Sequence, residues 1–201
     1  MYRLSGSAQG TTYTLQVFDT NLNFSQKDID SILYAFDMKL STYVNTSLVS
    51  RFNQASFKDT LLKQQDAFTQ MLLLSDTIFN LTDGYFDPSI KPIIDIWGFG
   101  DGRENIPSKH SLDSARKLVG YAKGLHFDFH IVGETILFQK KTPSFQLDFN
   151  AIAQGYSVDL LMKFIKSKGH EDVYIELGGE IKLSGTKGQN KKWKIGVETP
   201  R

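Results

Sequence analysis

The chain has 201 residues, enough for one domain or two small lobes, and 40% of them are hydrophobic, so a substantial core can form. Lys and Arg total 23 against 22 Asp and Glu, a formal charge of +1 that excludes a strong field drawing the protein to nucleic acid or acidic lipid. The lack of cysteine excludes disulfides, thiolate metal sites and a cysteine nucleophile, and no apolar run is long enough to span a bilayer.

The opening residues, Met1 to Gly6, contain no apolar core of a signal peptide. Thr11 to Phe18 alternates in part and predicts a strand with Tyr13, Leu15 and Val17 on one face. Ser25 predicts a helix cap, with Asp28 at capping-box spacing and Ile29, Ile32, Leu33, Phe36 and Leu40 as the apolar stripe. Ser41 to Asn45 reads as loop. A second helix is predicted from about Leu62 to about Leu81, stopped at Gly84. Pro88 and Pro92 predict an irregular stretch, 97–102 a flexible loop, and Leu112 to Val119 a short helix.

Leu125 to Ile131 and Ile136 to Phe138 alternate around Gly133-Glu134, the pattern of a hairpin. Phe145 to Phe149 reads as a strand running into a helix, with Asp148 opposite Leu147 and Phe149. That helix puts Ala151, Gly155, Val158, Met162 and Ile165 on one face, and Gly169 ends it. Val173 to Leu177, Ile181 to Ser184 and Trp193 to Val197 read as short strands. Many short strands and short turns predict an α+β fold, an antiparallel sheet with packed helices, in a single domain over 1–201.

Five stretches could carry chemistry. Gln9-Gly10-Thr11-Thr12-Tyr13 offers two hydroxyls after a glycine, although by itself it reads equally as a strand entrance. Ser41-Thr42-Tyr43, ahead of Ser50-Arg51-Phe52-Asn53, offers an aromatic face for a flat ring, or a locally packed tyrosine. The aromatic and acidic run from Thr82 through Tyr85, Phe86, Asp87 and Ser89 to Gly100 is too rich for a mere connector and predicts a ligand-binding loop. Asp148 to Asp159 joins a carboxylate to a helix N-terminus among small residues, a spot suited to a phosphate or a metal-bound phosphate, or an ordinary strand-to-helix corner. Glu176 to Glu180 holds paired glycines, for which a plain hairpin is also adequate. No P-loop is present, Gly98 to Gly102 lacks dinucleotide-fingerprint spacing, and His110, His126, His130 and His170 do not form a zinc pair.

Together and in this order, these stretches, from Gly10 to Pro200, resemble the ApbE family of flavin transferases. The family shows Gly-Thr-Thr, then Ser-x-Tyr, Gly-x-Phe-Asp-Pro, Trp-Gly-Phe-Gly, an Asp ahead of Ile-Ala-Lys-Gly-Tyr, and Gly-Gly followed by an acid and Ile. The resemblance implies a T-fold-related α+β fold. It also implies an enzyme that cleaves FAD with Mg2+ and attaches FMN to a Ser or Thr hydroxyl of a target protein, releasing AMP.

By match, Thr11, Tyr43, Tyr85, Phe86, Asp87, Asp148 and Gln154 would bind FAD, Asp148 would be catalytic, and the Ala151 carbonyl would meet magnesium. Gln9 stands where many members carry Met, and Gln154 where they carry Lys. The family continues beyond the position of Pro200 into a segment completing the metal site, so the resemblance implies a C-terminally incomplete domain with weak or no activity of its own. A flavin carrier without catalysis is the alternative. The implied partner is an acceptor flavoprotein subunit of a membrane redox complex. The implied location is extracytoplasmic, on the periplasmic side of a bacterial inner membrane, with a lipid anchor in the parent protein.

Overall fold

A computed structural model describes residues 1–54, 59–63, 66–99, 106–122, 124–189 and 191–196. Its contacts cluster into two compact units, Met1–Ala35 with Ile152–Arg201, and Phe36–Ala151. Both are built on antiparallel sheets, as the sequence predicts.

The first unit carries a sheet of order β1 (Tyr2–Ala8), β2 (Thr11–Val17), β6 (Val173–Leu177), β7 (Glu180–Ser184). Tyr13 faces Leu177, Leu15 faces Ile175 and Val17 faces Val173 across the central pair. Alternation therefore puts all six on one buried face. Against it lie Ile29 and Leu33 of helix α1 (Gln26–Leu40), and Val158, Leu161, Met162 and Ile165 of helix α6 (Asn150–Ser167). The capping box forms: Ser25 N–H donates to Asp28 at 2.8 Å, and Asp28 N–H donates back to the Ser25 hydroxyl at 3.4 Å.

Three expectations change in this unit. Strand β1 is not foreseen, because an outer strand with few buried side chains carries no clear alternation. The buried face of α6 is Ala153, Ser157, Val158, Leu161, Met162 and Ile165, while Ala151 is exposed and Gly155 half-buried. Ala and Gly carry too little apolar area to set a helix's orientation. Residues 193–196 form no strand: the Trp193 ring instead meets Phe18 edge-on at 5.4 Å and its N–H donates to the Ser184 carbonyl at 3.1 Å. Val197 lies outside the described residues.

The second unit carries a sheet of order β3 (Asp59–Lys63), β5 (Thr135–Lys140), β4 (Phe127–Val132), the last two being the predicted hairpin. Its core is aromatic. The Phe127 ring lies 5.2 Å from Phe138 with planes 3° apart and 5.1 Å from Phe145, and Phe52 meets both Phe68 and Phe138. Among the described residues this unit also holds helices α2 (Leu48–Gln54), α3 (Ala67–Leu81), α4 (Lys91–Ile96) and α5 (Lys109–Arg116).

The helix predicted from Leu62 is thus a strand followed by a shorter helix. Leu61 and Leu62 fit either period, and pairing of Leu62 with Ile136 decides for strand. Asp66 then caps α3, accepting from Phe68 N–H at 2.9 Å, and Gly84 ends its C-terminal turn as expected, with φ +82°. Pro92 lies in the first turn of α4, a position helices tolerate, so that stretch is not irregular throughout. Ser108 caps α5, whose first residue, Lys109, lies three before the predicted start, and accepts from Ser111 N–H at 3.1 Å. Residues 97–99 form a turn, and 100–102 lie outside the described residues.

Phe145–Phe149 is not a strand. The Asn53 side chain takes the place of a neighbouring strand, donating to the Leu147 carbonyl and accepting from the Leu147 N–H, both at 2.8 Å. No helix among the described residues is long and apolar enough to cross a membrane.

Candidate functional site

In the second unit the chain reaches Asp148 just before α6 begins. Its side chain is 5% exposed, yet both oxygens are bonded. Asn150 N–H donates to Oδ1 at 2.8 Å and the Asn150 amide to Oδ2 at 3.1 Å, and the Thr42 hydroxyl donates to Oδ2 at 3.3 Å. Burial raises the carboxyl's pKa above its ordinary value. The Asn150 N–H, the Lys91 charge and Thr42 oppose that rise, and the charge of Asp95 adds to it. Lys91 and Asp95 pair one turn apart on α4.

The aromatic loop is tied to this corner. Asp148 N–H donates to the Pro88 carbonyl at 2.7 Å, two residues from Phe86. Asp87 organises the loop from inside: Oδ1 accepts from Ser89 N–H at 2.7 Å and from the Ser89 hydroxyl at 2.5 Å, and Oδ2 accepts from Tyr121 N–H at 3.2 Å. Ser89 in turn accepts from Gly120 N–H at 2.7 Å. Phe86 is half-buried, whereas Tyr85 is 97% exposed and Tyr43 67% exposed, so both tyrosine rings offer open faces.

Thr11 and Gln154 fall in the first unit, where they meet a third predicted stretch. A Cβ on Gly178 would stand 2.8 Å from the Thr11 methyl and 3.0 Å from the Gln154 amide nitrogen. Gly178 also has φ +59°, so that turn accepts glycine on both counts. The Gln9-Gly10 pair is a two-residue hairpin turn between β1 and β2, with φ +54° and +72°. The Gln9 amide donates to the Ser157 hydroxyl on α6 at 2.6 Å.

Among the described residues no three His, Cys, Asp or Glu side chains group as a metal site. Ala151, exposed, is the second residue of α6. The hard oxygen atoms at the corner are those of the Asp148 carboxylate and the Thr42 hydroxyl, to both of which the Asn150 amide turns its nitrogen. Such a set fits a magnesium ion that takes its other ligands from phosphate and water. His126 bonds Thr142 at 3.0 Å, and buried His170 lies between Asp19 and Asn23, both at 2.8 Å; these are structural placements.

The sequence model of the ApbE family matches residues 9–201. This chain belongs to the ApbE family. Like its ApbE-family relatives it has a mixed α and β fold with antiparallel sheets. The FAD:protein FMN transferase of Vibrio cholerae serotype O1 is 29% identical over 203 residues, which cover 98% of this chain and 58% of that protein. The Haemophilus influenzae protein of the same name is 29% identical over 204 residues, with the same coverage of 98% and 58%. Among solved structures, the flavin transferase ApbE from Vibrio cholerae superposes with a TM-score of 0.86 at 29% identity, over 99% of this chain and 64% of that one. The apo form of Pseudomonas stutzeri flavinyl transferase ApbE gives 0.84 at 30% identity, over 99% and 63%. The ApbE-family chain thus spans 58% of the length of the first curated relative it matches.

Sequence reasoning assigns no role to Lys91, Asn53 or Ser157. The Lys91–Asp95 spacing of four is a signal that could have drawn attention to the first. Nothing local marks the other two, whose partners are 94 and 148 residues away.

Proposed function

We propose that the protein bearing this chain is a Mg2+-dependent FAD:protein FMN transferase, moving FMN from FAD to a Ser or Thr hydroxyl of a target flavoprotein with release of AMP. One observation carries the reading: a buried, hydrogen-bonded Asp148 at the start of α6, joined through the Pro88 carbonyl to a loop with exposed aromatic faces. Family membership and the names of the relatives support it.

In this reading Tyr43, Tyr85 and Phe86 cover flat rings of FAD by stacking. Asp87 keeps the loop of Tyr85 and Phe86 in shape from within. Thr11 and Gln154 contact the nucleotide. The positive N-terminal end of α6 suits the diphosphate. The Ala151 carbonyl would hold a magnesium ion, which would supply charge neutralisation at the diphosphate. The acceptor hydroxyl attacks the FMN phosphorus, the bond to the AMP phosphate breaks, and AMP leaves. Asp148, whose burial strengthens its hold on a proton, stands ready for the hydroxyl's proton.

We propose further that the 201-residue chain by itself is less active than a protein of its relatives' full length. The acceptor we expect is a flavoprotein subunit of a membrane redox complex, met outside the cytoplasm by a lipid-anchored parent protein. The test is incubation with FAD, Mg2+ and a Ser/Thr acceptor peptide, followed by chromatography and mass spectrometry. Free AMP with FMN on the peptide is the expected outcome, and Asp148→Asn should lower the rate by about 100-fold or more. Intact FAD retained on the protein without AMP would replace this reading with a flavin carrier.

A further inference from the structure

The contact between Gln9 and Ser157 has no part in the chemistry above, yet its geometry is demanding. Gln9 sits at φ +54°, a left-handed conformation that a non-glycine residue adopts only under constraint. Ser157 is fully buried on α6, and its hydroxyl donates to the Ala153 carbonyl at 2.9 Å. With that proton engaged, the hydroxyl can only accept from Gln9, so the nitrogen end of the Gln9 amide faces it, at 2.6 Å. The other end, Gln9 Oε1, is buried without a partner. A strained backbone and an unpaired buried acceptor both oppose this arrangement. The two-residue hairpin turn requires the positive φ, and the bond to Ser157 pins that turn to the helix.

What the pin fixes lies on either side of it. Thr11 is two residues from Gln9, and Gln154 is three before Ser157, almost one helical turn. These two side chains bracket Gly178 so closely that a Cβ there would meet both, at 2.8 and 3.0 Å. Hairpin turn, helix and the β6–β7 turn therefore converge on one corner, with Gly178 N–H donating to the Thr12 carbonyl at 3.1 Å.

The geometry points to Gln9 as a positioning residue: through Ser157 it sets the spacing of Thr11 and Gln154 around Gly178, and so tunes how tightly the nucleotide is held. This rests on the flavin-transferase reading in that Thr11 and Gln154 are taken as nucleotide contacts.

The test uses the protein at its full encoded length, with FAD binding followed by quenching of flavin fluorescence and turnover followed by AMP release. Gln9→Ala and Ser157→Ala should each raise the FAD dissociation constant by about tenfold. Turnover at saturating FAD should stay within about twofold, because neither side chain touches the reacting phosphorus. The double variant should be no worse than the weaker-binding single one, since both remove the same contact. Thermal melts identify any variant that is merely unfolded, and the other single variant then decides. Unchanged FAD affinity in a folded variant, a loss confined to turnover, or effects that multiply in the double variant would each overturn the inference alone. A parent protein that binds no FAD and releases no AMP removes the functional reading, and this inference with it.

Discussion

The two units solve the same problem with different materials. The first stacks aliphatic side chains, Leu15, Val17, Ile29, Leu33, Leu161, Ile165, Val173 and Ile175, between one sheet and two helices, and continuous ladders join its strands. The second packs aromatic rings around Phe127, and long-range polar side chains complete it: Asn53 for Leu147, Asp87 for Tyr121, and Lys140 for the Phe52 carbonyl at 3.1 Å. Regular ladders leave a unit robust to the loss of one side chain. A fold closed by polar side chains concentrates its stability in a few residues, and in this chain two of them, Asn53 and Asp87, hold the segment next to Asp148 and the loop tied to it.

The contrast can be broken or sharpened by substitution. Phe127→Ala should be the most damaging, at about 4 kcal/mol in urea unfolding, because the ring is fully buried and flanked by Phe129, Phe138 and Phe145. Asn53→Ala should follow at about 3 kcal/mol, since it strands the Leu147 N–H and C=O in the interior. Ile175→Val, in the aliphatic unit, should cost about 1 kcal/mol. An Asn53→Ala penalty no larger than that of Ile175→Val would erase the distinction drawn here.

Lys140→Met should have the smallest effect near neutrality, where loss of the Phe52 contacts offsets relief from burying a cation. Its signature lies in pH. Burial lowers the Lys140 pKa to about 8, while the unfolded chain keeps the ordinary lysine value. Between the two, the unfolded state binds more protons, so stability of the parent chain should rise as pH climbs above 8. Denaturant midpoints across that range should show the rise in the parent and its absence in Lys140→Met.

The first unit was the more legible in sequence, for the same reason that it is regular. Tyr13, Leu15 and Val17 alternate because a sheet with one buried face imposes alternation, and Ser25 with Asp28 announces the start of α1 by local chemistry. In the second unit the decisive partners are remote. Leu62 becomes a strand residue only because β5 is there to pair with it, and Leu147 needs no strand because Asn53 serves instead. The site divides in the same way. Asp148 and the glycines beside Thr11 stand in recognisable stretches, whereas Lys91 and Ser157 matter through tertiary neighbours that no local pattern encodes.

The bond from Asp148 N–H to the Pro88 carbonyl runs between two main chains. Exchanging the side chain at position 148 for any other than proline keeps the N–H that makes it. Architecture and reactivity at this corner are therefore separable by inheritance: a lineage could discard the carboxylate and keep an intact shell. In the laboratory, the same independence makes Asp148→Asn a control in which lost turnover can be read as chemistry rather than collapse.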